Sequence, residues 1–232
     1  MKPDIVYILK NTQENEEFRY SLRSLIKNAK NYGKVITIGG LPNGIKTDLN
    51  IPLKQVGKTK YDRVNITFKE ICLNPTISDN FVLMNDDFFI MQELDISKIP
   101  NYYRCSMKEY LEILTRDRAN SDYSGRLAKA AMALDMLKYD TKCYELHVPI
   151  LLNKHKLLEV FGVFTGYCGT RTLYGNYHKV KSKQMNDCKI FTHSDEFIKD
   201  TPFLSTTDSS FRSGAVGEYI RSKFTDKCKF EV

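Results

Sequence analysis

The stretch Phe81-Val82-Leu83-Met84-Asn85-Asp86-Asp87-Phe88-Phe89-Ile90 constrains this chain most. Four apolar residues lead into an amide and two carboxylates, and three apolar residues follow. A short apolar run rich in β-formers predicts a buried strand with its polarity gathered at the end. Adjacent carboxylates between apolar flanks are costly unless a partner neutralises them. Oxygen ligands suit Mg2+ or Mn2+, and such an ion can also carry a substrate diphosphate. Asp86 and Asp87 are therefore the candidate metal ligands, with Asn85 beside them. A plain Asn-Asp-Asp turn with solvated carboxylates is the alternative. Ligands in α/β sheets bind at strand ends, which favours the functional reading.

The residues before this stretch predict a βαβ unit. Ile5-Val6-Tyr7-Ile8-Leu9 is nearly all apolar, as a central parallel strand should be. Phe18, Leu22, Leu25, Ile26 and Ala29 fall at helical spacing, with Glu16 and Glu17 in the first turn and Gly33 as the stop. Val35-Ile36-Thr37-Ile38 is the second strand. The turn-rich Gly39-Gly40-Leu41-Pro42-Asn43-Gly44 that follows matches neither G-x-G-x-x-G nor a Walker loop, so it reads as a surface turn. A short strand over 50–56 and a helix over 61–72, ended by Pro75, lead to the Asn85-Asp86-Asp87 strand.

The second half has a different texture. Ser106-Met107-Lys108-Glu109 is a capping box that opens a helix. Another helix is predicted over 121–137. Tyr144-Glu145-Leu146-His147-Val148 alternates as a half-buried strand should. Asn153 caps a short helix stopped by Gly162, and Gly166, Gly169 and Gly175 predict a mobile stretch. Short strands are expected at Ile190-Phe191 and Phe203-Leu204, and Val216, Tyr219, Ile220 and Phe224 predict a closing amphipathic helix. The fold class expected is α/β: a mostly parallel, Rossmann-type sheet flanked by helices, with an elaborated C-terminal half. One domain over 1–232 accommodates the chain.

No apolar run approaches the length of a membrane span, and Met1-Lys2-Pro3-Asp4 lacks the apolar region of a signal peptide. Six scattered cysteines without a C-x-x-C pair predict free thiols rather than a zinc site. A cytoplasmic location is the expectation. The net charge of +7 favours anionic partners, nucleic acid or nucleotides among them.

Several side chains are candidates for chemistry. His147, at a predicted strand end, suits a general base or a phosphate contact, the roles to which an imidazole is best fitted. His193 in Thr192-His193-Ser194-Asp195 is a candidate metal or phosphate ligand. Asp208 offers a further carboxylate, or an N-cap, after Phe203-Leu204. Arg19 and Arg23, four apart on one helical face, could bind phosphates bidentately or pair with Glu16 and Glu17. Arg171 lies among glycines, where it suits an anion clamp. Tyr174 and Tyr177 beside Lys179, Lys181 and Lys183 have the make-up of a single-strand nucleic-acid platform, or of a basic loop with core aromatics.

Asp4-Ile5-Val6-Tyr7, then Phe18-Arg19-Tyr20-Ser21-Leu22-Arg23-Ser24-Leu25, then Asn85-Asp86-Asp87-Phe88-Phe89 resemble the first two conserved regions of the Stealth family of sugar-1-phosphate transferases. His147-Val148-Pro149 is similar to its third region, and Leu204 to Asp208 to its fourth. Residues 203–231 also resemble short glycosyltransferases encoded by bacterial viruses. The resemblance implies a GT-A-like sheet on which an acidic motif holds a metal against a nucleotide sugar. It implies a donor half over 1–100 and an acceptor half over 101–232. Tyr7, Arg19, Arg23, Asn85 and Asp86 would contact the donor, most simply a UDP-sugar. Asp86, Asp87 and His193 would hold Mn2+ or Mg2+, and Asp87, His147 and Asp208 would be catalytic. The function implied is metal-dependent glycosyl transfer to a hydroxyl acceptor, DNA bases included. Hexose-1-phosphate transfer, or a non-catalytic nucleic-acid or glycan-binding module on the same fold, are the alternatives.

Overall fold

A computed structural model describes residues 2–54, 56, 57, 59–117, 121–193 and 196–232. The first half runs β1 (Asp4–Leu9), α1 (Glu16–Asn28), β2 (Ala29–Lys30), β3 (Val35–Gly39), β4 (Leu49–Ile51), α2 (Lys60–Leu73), β5 (Asn80–Met84), β6 (Phe88–Ile90), β7 (Leu94–Asp95) and β8 (Asn101–Tyr103). Helices α3 (Met107–Arg116) and α4 (Ser121–Met136) follow, then β9 (Ile150–Asn153), α5 (Lys154–Val163) and α6 (Thr170–Tyr177). The chain closes with β10 (Ser182–Gln184), β11 (Lys189–Ile190), β12 (Phe203–Thr206), α7 (Asp208–Ser213) and α8 (Ala215–Lys223).

The central sheet has the order β4-β3-β1-β5-β9 and is parallel except for β9, which runs antiparallel to β5. The mixed α/β class with a mostly parallel, helix-flanked sheet is therefore the one the sequence predicts. Alternation along β1 explains the layering. Ile5, Tyr7 and Leu9 point to one face and pack on Phe18, Leu22 and Leu25 of α1. Val6 points to the other and packs with Phe68 and Ile71 of α2 and Leu157 and Val160 of α5. Burying side chains such as Phe18 and Leu22 stabilises the sheet by about 1.5–3 kcal/mol each. A smaller sheet, β11-β12-β6, stands beside the first. Strand β6 starts directly after Asp87, so the Asn-Asp-Asp turn joins the two sheets.

Four predictions about elements need correction. The helix after β1 stops at Asn28 rather than Gly33, because Ala29 and Lys30 pair with β7. The alternating residues 144–148 are not a strand. Their backbone is held by α6 instead: Tyr144 N donates to Thr172 Oγ1, and Arg171 donates to the carbonyls of Leu146 and Val148. The pairing strand begins only after Pro149. Gly162 lies inside α5. The glycine-rich stretch becomes helix α6 from Thr170 on, with Gly169 as its N-cap and Gly175 set so close to the Tyr144 ring that an added Cβ would lie 2.4 Å from it.

The Gly39-Gly40 turn is taken up by the fold itself. Gly39 has φ +105°, and a Cβ there would lie 2.2 Å from the Leu9 carbonyl oxygen. A Cβ on Gly40 would lie 2.5 Å from the Lys10 oxygen. The two glycines let this turn press against the loop after β1.

Candidate active site at the strand ends

The chain leaves β1 through α1 to β3 on one side, while β5 lies on the other side of β1. Strand order therefore reverses between β1 and β5. Such a switch point opens a crevice beyond the carboxyl ends of the strands, where α/β proteins bind ligands. The loop after β1 brings Asn15 and Glu17 to this crevice, and the end of β5 brings Asn85, Asp86 and Asp87.

Asn15 ties the two sides together. Its Oδ1 accepts from Phe18 N at 2.9 Å as the N-cap of α1, and its Nδ2 donates to Asp86 Oδ2 at 2.7 Å. Asp87 is gripped from the smaller sheet. Lys189 Nζ donates to its Oδ2 at 2.7 Å, Ser205 Oγ approaches the same oxygen at 3.4 Å, and Thr206 N donates to its carbonyl at 3.3 Å. The other carboxylate oxygen, Oδ1, is buried with no hydrogen-bond partner among the described residues. Buried polar atoms are normally paired, so this orphan asks for a ligand.

The crevice is crowded with negative charge. Burial pushes the Glu17 carboxyl from 4.5 up to about 7; Asp87, Asp208 and Asp86 push the same way, and a 2.6 Å hydrogen bond from Thr206 Oγ1 only partly opposes them. Burial also raises Asp86, with Asp87 adding to it, against the hydrogen bond from Asn15. A divalent cation would relieve this crowding. Among the described residues, no three His, Cys, Asp or Glu side chains are arranged to hold a metal. A metal held here would have only the pair of carboxylates from the chain, not a closed cage. That fits an Mg2+- or Mn2+-type ion whose remaining ligands are water and substrate phosphates. His193, proposed as a third ligand, does not complete the set: it is exposed and lies against Gly214 at the α7–α8 junction. Asp208 is the exposed first residue of α7, near enough to act on Glu17.

His147 stands at the edge of the same site. Its ring lies edge-on to Phe88, the residue after Asp87, with centroids 6.3 Å apart. It lies edge-on to the exposed Phe191 at the same distance. Its Nδ1 is 2.9 Å from Asp187 Oδ2, and Arg104 Nη1 is 3.2 Å from that same oxygen. Burial alone would raise the Asp187 carboxyl, but His147 and Arg104 hold it below the usual range. With Nδ1 committed to Asp187, Nε2 is the nitrogen left for chemistry.

Other predicted residues are placed elsewhere. Tyr7 is fully buried, with its hydroxyl on Ser21, although Asp86 is near enough to act on it. Arg19 and Arg23 do not stand ready for phosphates. Both bind Glu231, at 3.1 and 2.7 Å, and Arg23 also donates to the carbonyls of Phe224 and Thr225. The Arg171 guanidinium is tied to two backbone carbonyls and stacks over Phe88 at 5.5 Å, so it is a strut rather than an anion clamp. Tyr174 is buried, its hydroxyl accepting from Asn153 N, and Tyr177 packs on Tyr139 and Phe164. The Tyr174 ring is closed to base stacking, and Tyr177 is half-buried. Lys179, Lys181 and Lys183 are exposed.

The sequence reading missed Asn15, Glu17 and Phe191 as site residues, and Asp187 and Lys189 altogether. Asp187, Lys189 and Phe191 alternate in sequence around the short strand β11, a period-two signal that was available. A cavity of about 510 Å3 lined by Arg126, Met132, Met136 and Tyr167 contains none of these groups.

No protein-family model and no curated protein matches the chain. Among solved structures, it is similar to the glycosyltransferase GlyE of Streptococcus pneumoniae TIGR4, at 10% identity and a TM-score of 0.38 over 97% of this chain. It is also similar to the bifunctional glycosyltransferase WbbM in its apo form, at 11% identity and a TM-score of 0.43 over 98% of this chain. The chain spans 50% and 45% of those two structures.

Proposed function

We propose that this chain is a metal-dependent glycosyltransferase that takes a nucleotide sugar, a UDP-sugar in the simplest case, and passes the sugar to a hydroxyl acceptor. The observation that carries this reading is the buried, unpartnered Oδ1 of Asp87 at the switch-point crevice. The resemblance of the residues around Asp86 and Asp87 to transferase motifs supports it. When bound, the ion would neutralise the diphosphate as it departs.

The chain's own residues would do the rest. Asp86 and Asp87 would hold the ion, and Asn15 keeps Asp86 turned toward the crevice. The exposed ring of Phe191 offers an apolar face for a sugar beside His147. His147 Nε2 would take the proton as the acceptor oxygen bonds to the anomeric carbon and the sugar–phosphate bond breaks. Asp187 would steady the imidazolium that forms. Tyr174 is buried and Tyr177 is half-buried against Tyr139 and Phe164, so support for a DNA acceptor rests chiefly on exposed lysines. A neutral hydroxyl acceptor fits the site better.

The test is the nucleotide released from a UDP-sugar with Mn2+ and a panel of hydroxyl acceptors. UDP is the expected product. UMP would indicate hexose-1-phosphate transfer through the same carboxylates. No nucleotide from any donor would contradict the enzymatic reading and leave a binding module.

A further inference from the structure

The carboxylate assigned above to a divalent ion already carries a cation. Lys189 Nζ lies 2.7 Å from Asp87 Oδ2, and each side chain is only 15% exposed. The backbone of Lys189 is fixed, since β11 pairs with β12 opposite Ser205. Its side chain is not. Among the described residues, the ammonium's contacts beyond Asp87 come down to the Phe191 ring, at 5.9 Å. Arg171, also close enough to influence Asp87, is tied by two carbonyls. A lysine is a compact charge on a flexible stem, able to move between partners without a fixed hydrogen-bond fork.

A divalent ion and the ammonium would compete for Asp87. The ammonium then needs another acceptor within reach of its stem, and the donor's phosphate oxygens would lie beside the ion. We infer that Lys189 is a relay cation that holds Asp87 in the resting crevice and passes to the donor's phosphates when a divalent ion takes the carboxylate. This rests on the function proposed above and adds a phosphate-binding residue to it. It also gives the ion and the donor a reason to bind together. The ion frees the lysine, and the lysine then pulls on the diphosphate that the ion needs as a ligand.

The experiment measures binding, not turnover. Mn2+ alone is titrated into the wild type, Lys189→Met and Lys189→Gln by calorimetry, and UDP is then titrated at saturating Mn2+. Removing the competing ammonium should tighten Mn2+ binding by about tenfold, and losing a phosphate contact should weaken UDP by about tenfold. Lys189→Arg, which keeps the charge, should restore UDP affinity most of the way. Unchanged Mn2+ affinity in both neutral variants, in a wild type that binds Mn2+, would overturn the relay and leave the metal site standing. Unchanged UDP affinity would likewise overturn it. If the wild type itself does not bind Mn2+, the metal reading fails first and the relay with it. The melting temperatures of both neutral variants, read alongside, show whether each is folded.

Discussion

The Nδ1 atom of His147 lies 2.9 Å from Oδ2 of Asp187, and this contact commits one of the two ring nitrogens to the carboxylate. A base in a transfer site needs a free lone pair and a group that steadies the proton it gains. His147→Ala should lower turnover by about 10²- to 10⁴-fold while donor affinity stays near wild type. Asp187→Ala should act in the same direction, with a smaller loss. Equal losses of rate and donor affinity on steady-state and binding assays would return His147 to a structural role.

Asp87→Asn should leave a folded protein that has lost its chemistry. The residue is not part of any of the four hydrophobic clusters, and its orphan oxygen suits a ligand position. Turnover at saturating Mn2+ should fall by at least about a hundredfold, as removal of one group stabilising transition-state charge commonly does. Wild-type turnover in this variant would remove the metal from Asp87.

Much of the frame was legible in the residues. The apolar runs of β1, β3 and β5, the amphipathic α1 and the Ser106 capping box all form as their patterns predict. The crevice was legible only in half. Asn85-Asp86-Asp87 announces itself by charge between apolar flanks, but its partners depend on strand order, which local pattern does not encode. Glu17 looks like an ordinary first-turn acid until Thr206 and Asp87 are brought beside it from distant parts of the chain. Residues 144–148 alternate as a strand does, yet α6 supplies their hydrogen bonds and no ladder forms. In the basic, aromatic 174–183 stretch, burial and not composition decides that the Tyr174 ring is closed to a ligand.

Glu17 predicts a pH dependence of stability. Its carboxyl is raised from 4.5 to about 7 in the folded chain. Between those values the folded state keeps a proton that the unfolded chain has released, so this group makes stability fall as pH rises through the window. Above about 7 the loss is complete. Glu17→Gln should flatten that slope and raise the melting temperature relative to wild type at about pH 8. Parallel melting curves for the two proteins across the window would show that Glu17 does not carry the proton.

The Arg19, Arg23 and Glu231 group predicts the opposite trend. The Glu231 side chain is fully buried, and Arg23 with backbone and Arg19 contacts holds its pKa at about 2 despite burial. This contribution to stability is present above its ordinary 4.5 and is lost as pH falls toward about 2. Glu231→Ala leaves two arginines without their partner and should cost about 3–5 kcal/mol in denaturant unfolding. Arg23→Ala should destabilise as well, while donor affinity is unchanged. A loss of donor affinity without a loss of stability would restore the arginines to a phosphate role.

The central claim is that Asp86 and Asp87 join a divalent ion to a nucleotide sugar, and calorimetric titration of UDP-sugars with and without Mn2+ tests it most directly. The account predicts donor binding that requires Mn2+ and disappears in Asp87→Asn. It also predicts that a donor held at 100 times its Kd with Mn2+ adds about 2.7 kcal/mol of apparent stability. Binding of equal strength with and without the metal, or no binding of any donor in its presence, would contradict it.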